Sequence, residues 1–170
     1  MVPPEVNAAL AWLHIFAVIG WMGTAMFLVM VLTPSMLGLS PSSRKELVLR
    51  LFPRFIRYVT VFATLAIVAG IGLTFGIAVD SLASLSPTNP WGFRVTVGAS
   101  LALIAYIVGL GIGVRSARKI VRLLGSVGEG SQQGPQAEVV RLQRRMRLSA
   151  TSVIILLIAA LVFMVAASRL

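Results

Sequence analysis

The sequence predicts an all-α integral membrane protein, a four-helix up-down bundle with both termini on the outer side, and three observations carry that prediction. Of the 170 residues, 58% are hydrophobic and only 12% are charged, whereas a soluble domain carries about 25% charged residues. Four apolar runs, at about 8–32, 59–79, 95–114 and 150–167, match the length of roughly 20 residues that a helix needs to cross a hydrocarbon core of about 30 Å. Basic residues are concentrated in the connections after the first and third runs, which sets an up-down order. Main-chain polar groups find no water in lipid, so each run must be helical. Two helical hairpins with no separate soluble segment make one domain, 1–170.

The first run holds the stretch WLHIFAVIGWMGTAMFLV, residues 12–29. Only Glu5 precedes the run where a signal peptide has a basic region, and the run is too long for a signal-peptide core, so it is expected to stay as an anchor. The connection that follows, 34–57, carries a Ser-Pro-Ser-Ser turn signal at 40–43 and then an amphipathic stretch whose arginines face lipid headgroups. It is expected to lead directly into the second helix. The third helix is expected to continue past the membrane through RSARKIVRLL, 115–124, as far as the tract GSVGEGSQQGPQ at 125–136. That tract reads as a flexible loop, and it lacks the spacing and lysine of a phosphate-binding loop. The fourth run returns the chain to the outer side.

The formal net charge is +10. Arg44, Lys45, Arg50, Arg54 and Arg57 fall between the first two helices, eight more basic residues from Arg115 to Arg147 fall between the last two, and only Arg94 and Arg169 lie elsewhere. The positive-inside rule then places both basic connections in the cytoplasm of a cell bounded by this plasma membrane. Anionic lipid headgroups are the partners this charge implies. No aromatic-basic interleaving of the kind that binds single strands is present, which excludes nucleic acid. There is no cysteine, so thiolate catalysis and Cys-based metal sites are excluded. The five acidic residues, Glu5, Glu46, Asp80, Glu129 and Glu138, all avoid the depths of the runs. A carboxylate pair, a Ser-His-Asp set and proton transport by buried carboxylates are therefore excluded as well.

His14 is the only histidine, and it lies inside an apolar run. An ionisable group there is costly in lipid and marks a functional site, or else bonds across helices. At 100° per residue Val18, Trp21, Ala25 and Leu28 share its face. Imidazole is the commonest ligand of metals and haem iron. Arg94 defies the charge asymmetry and stands beside Trp91; its guanidinium suits a carboxylate such as a haem propionate, or it snorkels outward or pairs with Asp80. Met164, near the outer end of the fourth helix, is a second axial ligand to iron, a soft ligand to copper, or packing. Met22, Met26 and Met30 turn away from the His14 face and read as packing. Small residues at four-residue spacing, Ala66 with Gly70, Gly72 with Gly76, and Ala105 with Gly109 and Gly113, either bring helices close or make room for a flat ligand.

His14, Trp21, Gly23 and Phe27-Leu28 together resemble the first-helix signature of the HemJ-type protoporphyrinogen oxidases. The segment 53–73, beginning Pro-Arg-Phe-Ile-Arg, is similar to the second helix of CopD-type copper-resistance membrane proteins, and 91–106 resembles the third helix of both. The resemblance implies a haem b site with His14 as the first ligand and Arg94 where the HemJ type has its lysine. Val29 and Ile107 stand where those sequences have proline and histidine. The expected function is that of a haem b-binding membrane oxidoreductase, with Trp21 and Trp91 lining the site and electrons passing to or from a quinol or a porphyrinogen. The alternatives are a CopD-like copper-transport protein using His14, Met22 and Met164 as soft ligands, and a small structural subunit. A homo-oligomer or a larger membrane complex is compatible with each.

Overall fold

Proline starts three of the four helices, because its fixed φ suits the first turn and its missing N–H is no loss there. The computed structural model describes residues 3–78, 85–86, 88–126 and 136–167. Four helices account for nearly all of them: α1 (Pro4–Leu37), α2 (Pro41–Ala78), α3 (Pro90–Ser126) and α4 (Gln136–Ala167). The Ser40 side chain accepts the Ser43 N–H at 3.2 Å to open α2, and Asn89 Oδ1 accepts the Trp91 N–H at 3.0 Å to open α3. Arg44 closes α1 from the other side of the turn, donating from Nε to the Met36 carbonyl at 3.0 Å and from Nη2 to those of Leu37 and Leu39. A cation on a helix C-terminus meets the negative end of its dipole.

All four helices are long and apolar enough to cross a membrane. They outrun the apolar runs that announced them. At 32 to 38 residues and 1.5 Å per residue they measure about 48–57 Å, well beyond a hydrocarbon core of about 30 Å. The excess lies at one end, where α2 starts, α3 ends and α4 starts; this is called the basic end. Helices α1 and α3 each contain one stretch wound as a π-helix, Phe27–Leu32 and Gly109–Val114, just before they reach it. Pro53 lies inside α2 at the same end and leaves the Leu49 carbonyl without its helical donor.

The two ends are held by different forces. At the basic end Val48, Phe52, Ile120, Leu142 and Met146 form a hydrophobic core, while Arg118, Lys119 and Arg122 stay exposed on the same helical turns as Ile120. That pattern belongs to a water-soluble bundle, stabilised by removing apolar area from water. Along the lipid-length portion the large side chains point outward instead: Trp12, Phe16, Ile19, Val68, Ile107, Ile155 and Val162 are all exposed. Its interior is built from small residues, Ala17, Ala25, Ala63, Ala66 and Ala105, around Trp21, Val153 and Leu157. Lipid offers no hydrophobic drive for helices to associate, so close approach through small residues does that work. Met30, expected to pack, is 61% exposed on the lipid side of the π-helical stretch of α1, whereas Met22 and Met26 pack against the interior.

The glycines mark two tight seams. Within the first hairpin Gly20 faces Phe62, Gly70 faces His14, Gly72 faces Leu10 and Gly76 faces Asn7; within the second, Gly98 faces Met164, Gly109 faces Val153 and Gly113 faces Ser149. The small-residue spacing therefore serves helix approach, with side chains of the partner helix seated where a flat ligand was the other expectation.

Candidate functional site

His14 sits on α1 ten residues after Pro4 and half-buried against α2. Its Nδ1 lies 2.8 Å from the Ala66 carbonyl oxygen. A carbonyl only accepts, so Nδ1 carries the proton and donates, and in the neutral ring the lone pair is on Nε2. Gly70, one turn further along α2, makes the pose attainable: a Cβ there would lie 2.9 Å from Cε1 and 3.0 Å from Nδ1, but 3.9 Å from Nε2. The imidazole is thus anchored through one nitrogen and presents the other.

Asn7, His14, Trp21 and Leu28 recur every seven residues, which places them on one stripe of α1. At the end away from the basic loops, the Asn7 Oδ1 is buried against Gly76 without a hydrogen-bond partner among the described residues. In the other direction Trp21, 2% exposed, meets Tyr106 of α3 edge to face, with ring centroids 6.3 Å apart at 87°. The Tyr106 hydroxyl is 3.1 Å from that of Thr64 on α2. Three helices are therefore linked at the level of Trp21. Beneath the indole is a cavity of about 50 Å³, lined by Ala25, Leu28, Gly109, Gly113 and Ser149 among others. It has room for a few waters. Its hydroxyl side chain, Ser149, donates to the Val108 carbonyl at 2.9 Å, at the start of the π-helical stretch of α3.

Arg94 occupies the corresponding end of the second hairpin. Its Nη1 donates to the Ala166 carbonyl at 2.8 Å, one of the last four carbonyls of α4, which have no partner within the helix. The helix dipole and this bond account for a cation at the end opposite the basic one. Asp80, the other partner expected for it, lies outside the described residues. Met164 is seated on Gly98, with a Cβ there 3.0 Å from its Cε. Trp91 is half-buried in the first turn of α3.

The structure thus gathers His14 and Trp21 on one stripe, and Arg94 and Met164 on the seam of the other hairpin. No hydrogen bond or ion pair joins the two groups among the described residues. Nor is there any cluster of three or more His, Asp and Glu side chains among them. Sequence reasoning missed Asn7 and Tyr106. The seven-residue step from His14 back to Asn7, the amide side chain just before the first run, was the available signal; nothing in the sequence pointed Tyr106 toward Trp21. Comparison of the chain with protein-family models, with curated proteins and with solved structures finds no match.

Proposed function

We propose that this multi-pass membrane protein is a haem b-binding oxidoreductase of the plasma membrane, with its basic end in the cytoplasm and His14 as the iron ligand. The observation that carries the reading is the His14 Nδ1–H bond to the Ala66 carbonyl. A ligating histidine characteristically donates its other N–H to a backbone carbonyl or a carboxylate, which fixes the tautomer and raises the basicity of the ligating nitrogen. An ionisable side chain kept in an apolar run at the cost of a glycine in the facing helix is best explained by a ligand.

The donor chemistry fits haem; the cavity under Trp21 does not, being water-sized. The site in this reading is therefore the end of the bundle beyond Trp21, on the side of Asn7. When bound, haem supplies one-electron chemistry whose potential depends on its second ligand. The chain's own contributions are an oriented imidazole, an indole that seals the interior from the site, and a guanidinium whose donors beyond Nη1 suit a propionate. With one histidine per chain, the second ligand is Met164, a partner subunit's group, or none. A quinol or a porphyrinogen is the electron partner in this reading. Copper draws on the same imidazole, but its soft second ligand, Met164, is held on Gly98 in the other hairpin.

The test is the visible spectrum, oxidised and dithionite-reduced, of the full chain purified in detergent after haem-replete expression. A Soret band lost in His14→Ala and restored by added imidazole is the expected result. A colourless wild-type protein would end the haem reading.

A further inference from the structure

We propose that the lipid-facing groove between α1 and α2 at the basic end is a binding site for one phosphate-bearing anionic lipid, with Arg54 holding the phosphate. The groove is a shallow, open depression of about 510 Å³. Gly20 and Gly23 form its floor, and Phe27, Phe55 and Tyr58 its walls. A Cβ on Gly23 would meet nothing within 4 Å, so the floor is open space there, whereas at Gly20 it is closed by Phe62. Phe27 and Tyr58 are 45% and 48% exposed, so the walls stand out into the surrounding lipid. From Gly20 to Phe27 the floor runs about 10 Å at 1.5 Å per residue, the length of a portion of one acyl chain.

Charge selects the occupant. Arg54 lines the groove at its basic end and is exposed, and no described residue bonds or pairs with it. The single carboxylate of α2, Glu46, is already held by Arg50 at 2.8 Å. A guanidinium at the edge of an apolar groove, at headgroup level, is matched by a molecule that is anionic at one end and apolar along its length. A tyrosine at the same level is also characteristic of the interface. Other exposed arginines attract anionic lipid diffusely, but Arg54 has a groove beneath it that can hold a chain. This site is separate from His14 and stands whether or not haem binds.

The experiment is native mass spectrometry of the full detergent-purified chain titrated with phosphatidylglycerol. Arg54→Gln removes the charge, Gly23→Phe puts a ring into the floor from a Cβ position that has nothing within 4 Å, and Arg122→Gln removes an exposed charge outside the groove. Arg54→Gln should weaken the first lipid bound about fivefold, the worth of one arginine near an anionic surface. Gly23→Phe should abolish that event, and Arg122→Gln should leave it unchanged. Equal binding by all four proteins would overturn the proposal. So would displacement of the lipid by inorganic phosphate at equal concentration, which would mean a site for free phosphate. Displacement by a short-chain quinone that binds Arg54→Gln as tightly as wild type would likewise overturn it in favour of a quinone site. Unchanged unfolding midpoints of the variants without lipid would exclude misfolding as the cause of any loss.

Discussion

Replacing Gly70 by alanine tests the packing of His14 more sharply than replacing the histidine. The new Cβ would lie 2.9 Å from Cε1 and 3.0 Å from Nδ1, closer than carbon and nitrogen tolerate. The ring has two torsions and is tied to the Ala66 carbonyl, so relief requires it to leave that bond. Overpacking of this kind costs about 1–3 kcal/mol, and an interhelical hydrogen bond in a membrane is worth about 0.6 kcal/mol. Alanine returns at most about 1 kcal/mol in helix propensity. The net expectation is a loss of about 1–2 kcal/mol. Gly72→Ala is the control, two residues away on the same helix, where the Leu10 methyls would be at an ordinary 3.5 and 3.6 Å; it should be neutral or slightly stabilising. Unfolding by SDS in mixed micelles, followed by tryptophan fluorescence, measures both. In a His14→Ala background Gly70→Ala should lose most of its cost, because residues in contact couple by about 0.5–3 kcal/mol. If Gly70→Ala matched Gly72→Ala, or if its cost persisted without the imidazole, the seating of His14 on Gly70 would be wrong.

Two further predictions concern charges. Arg94→Met removes the donor to the Ala166 carbonyl and should destabilise the end of α4 by about 1–2 kcal/mol, the range for a charged cap on a helix C-terminus; faster amide exchange confined to the last turn of α4 is the signature, and unchanged exchange there would reject it. Glu138 is held below the usual carboxylate range, first by its hydrogen bond from Lys119 at 2.6 Å and then by the charges of Lys119 and Arg141. A depressed folded value means that the pair stabilises above the ordinary carboxylate pKa and stops doing so as pH falls through the folded one. The gap in unfolding midpoint between wild type and Glu138→Gln should therefore be present at neutral pH and close in acid, and a gap independent of pH would count against the Lys119 bond as its source.

The four helices and the charge asymmetry were legible because each is written in side chains. Hydropathy marks what lipid must cover, and the runs of arginine mark what it must not. The same signal understated the helices, since a helix does not stop where hydropathy falls; α2 begins at Pro41, in the connection read as amphipathic, and α3 reaches Ser126 through 115–124, where its continuation was expected. The partners of His14 and Arg94 were not legible. Both are backbone carbonyls, Ala66 and Ala166, 52 and 72 residues away, and a carbonyl is common to every residue. The π-helical stretches were equally hidden, because FLVMVL and GLGIGV carry nothing that distinguishes them from α-helix. His14, Trp21, Arg94 and Met164 were singled out as individuals, but which hairpin seam each belongs to required the packing.

The segregation of the glycine contacts bears on how the chain is made. Along the lipid-length portion, each described glycine that receives a side chain from another helix receives it from its own hairpin partner. Three described polar bonds between helices of that portion, His14 to Ala66, Arg94 to Ala166 and Ser149 to Val108, likewise stay within a hairpin, while the bond between the Thr64 and Tyr106 hydroxyls crosses from one hairpin to the other. Each hairpin can therefore leave the insertion machinery as a finished pair, with these groups satisfied before the other half has been synthesised. What is left for the second stage is the mutual docking of two prefabricated units across alanines, the Trp21 and Tyr106 rings, the Thr64–Tyr106 hydroxyl bond and a water-sized gap. That joint is the place where the two halves can slide or part without exposing an unbonded histidine or arginine to lipid.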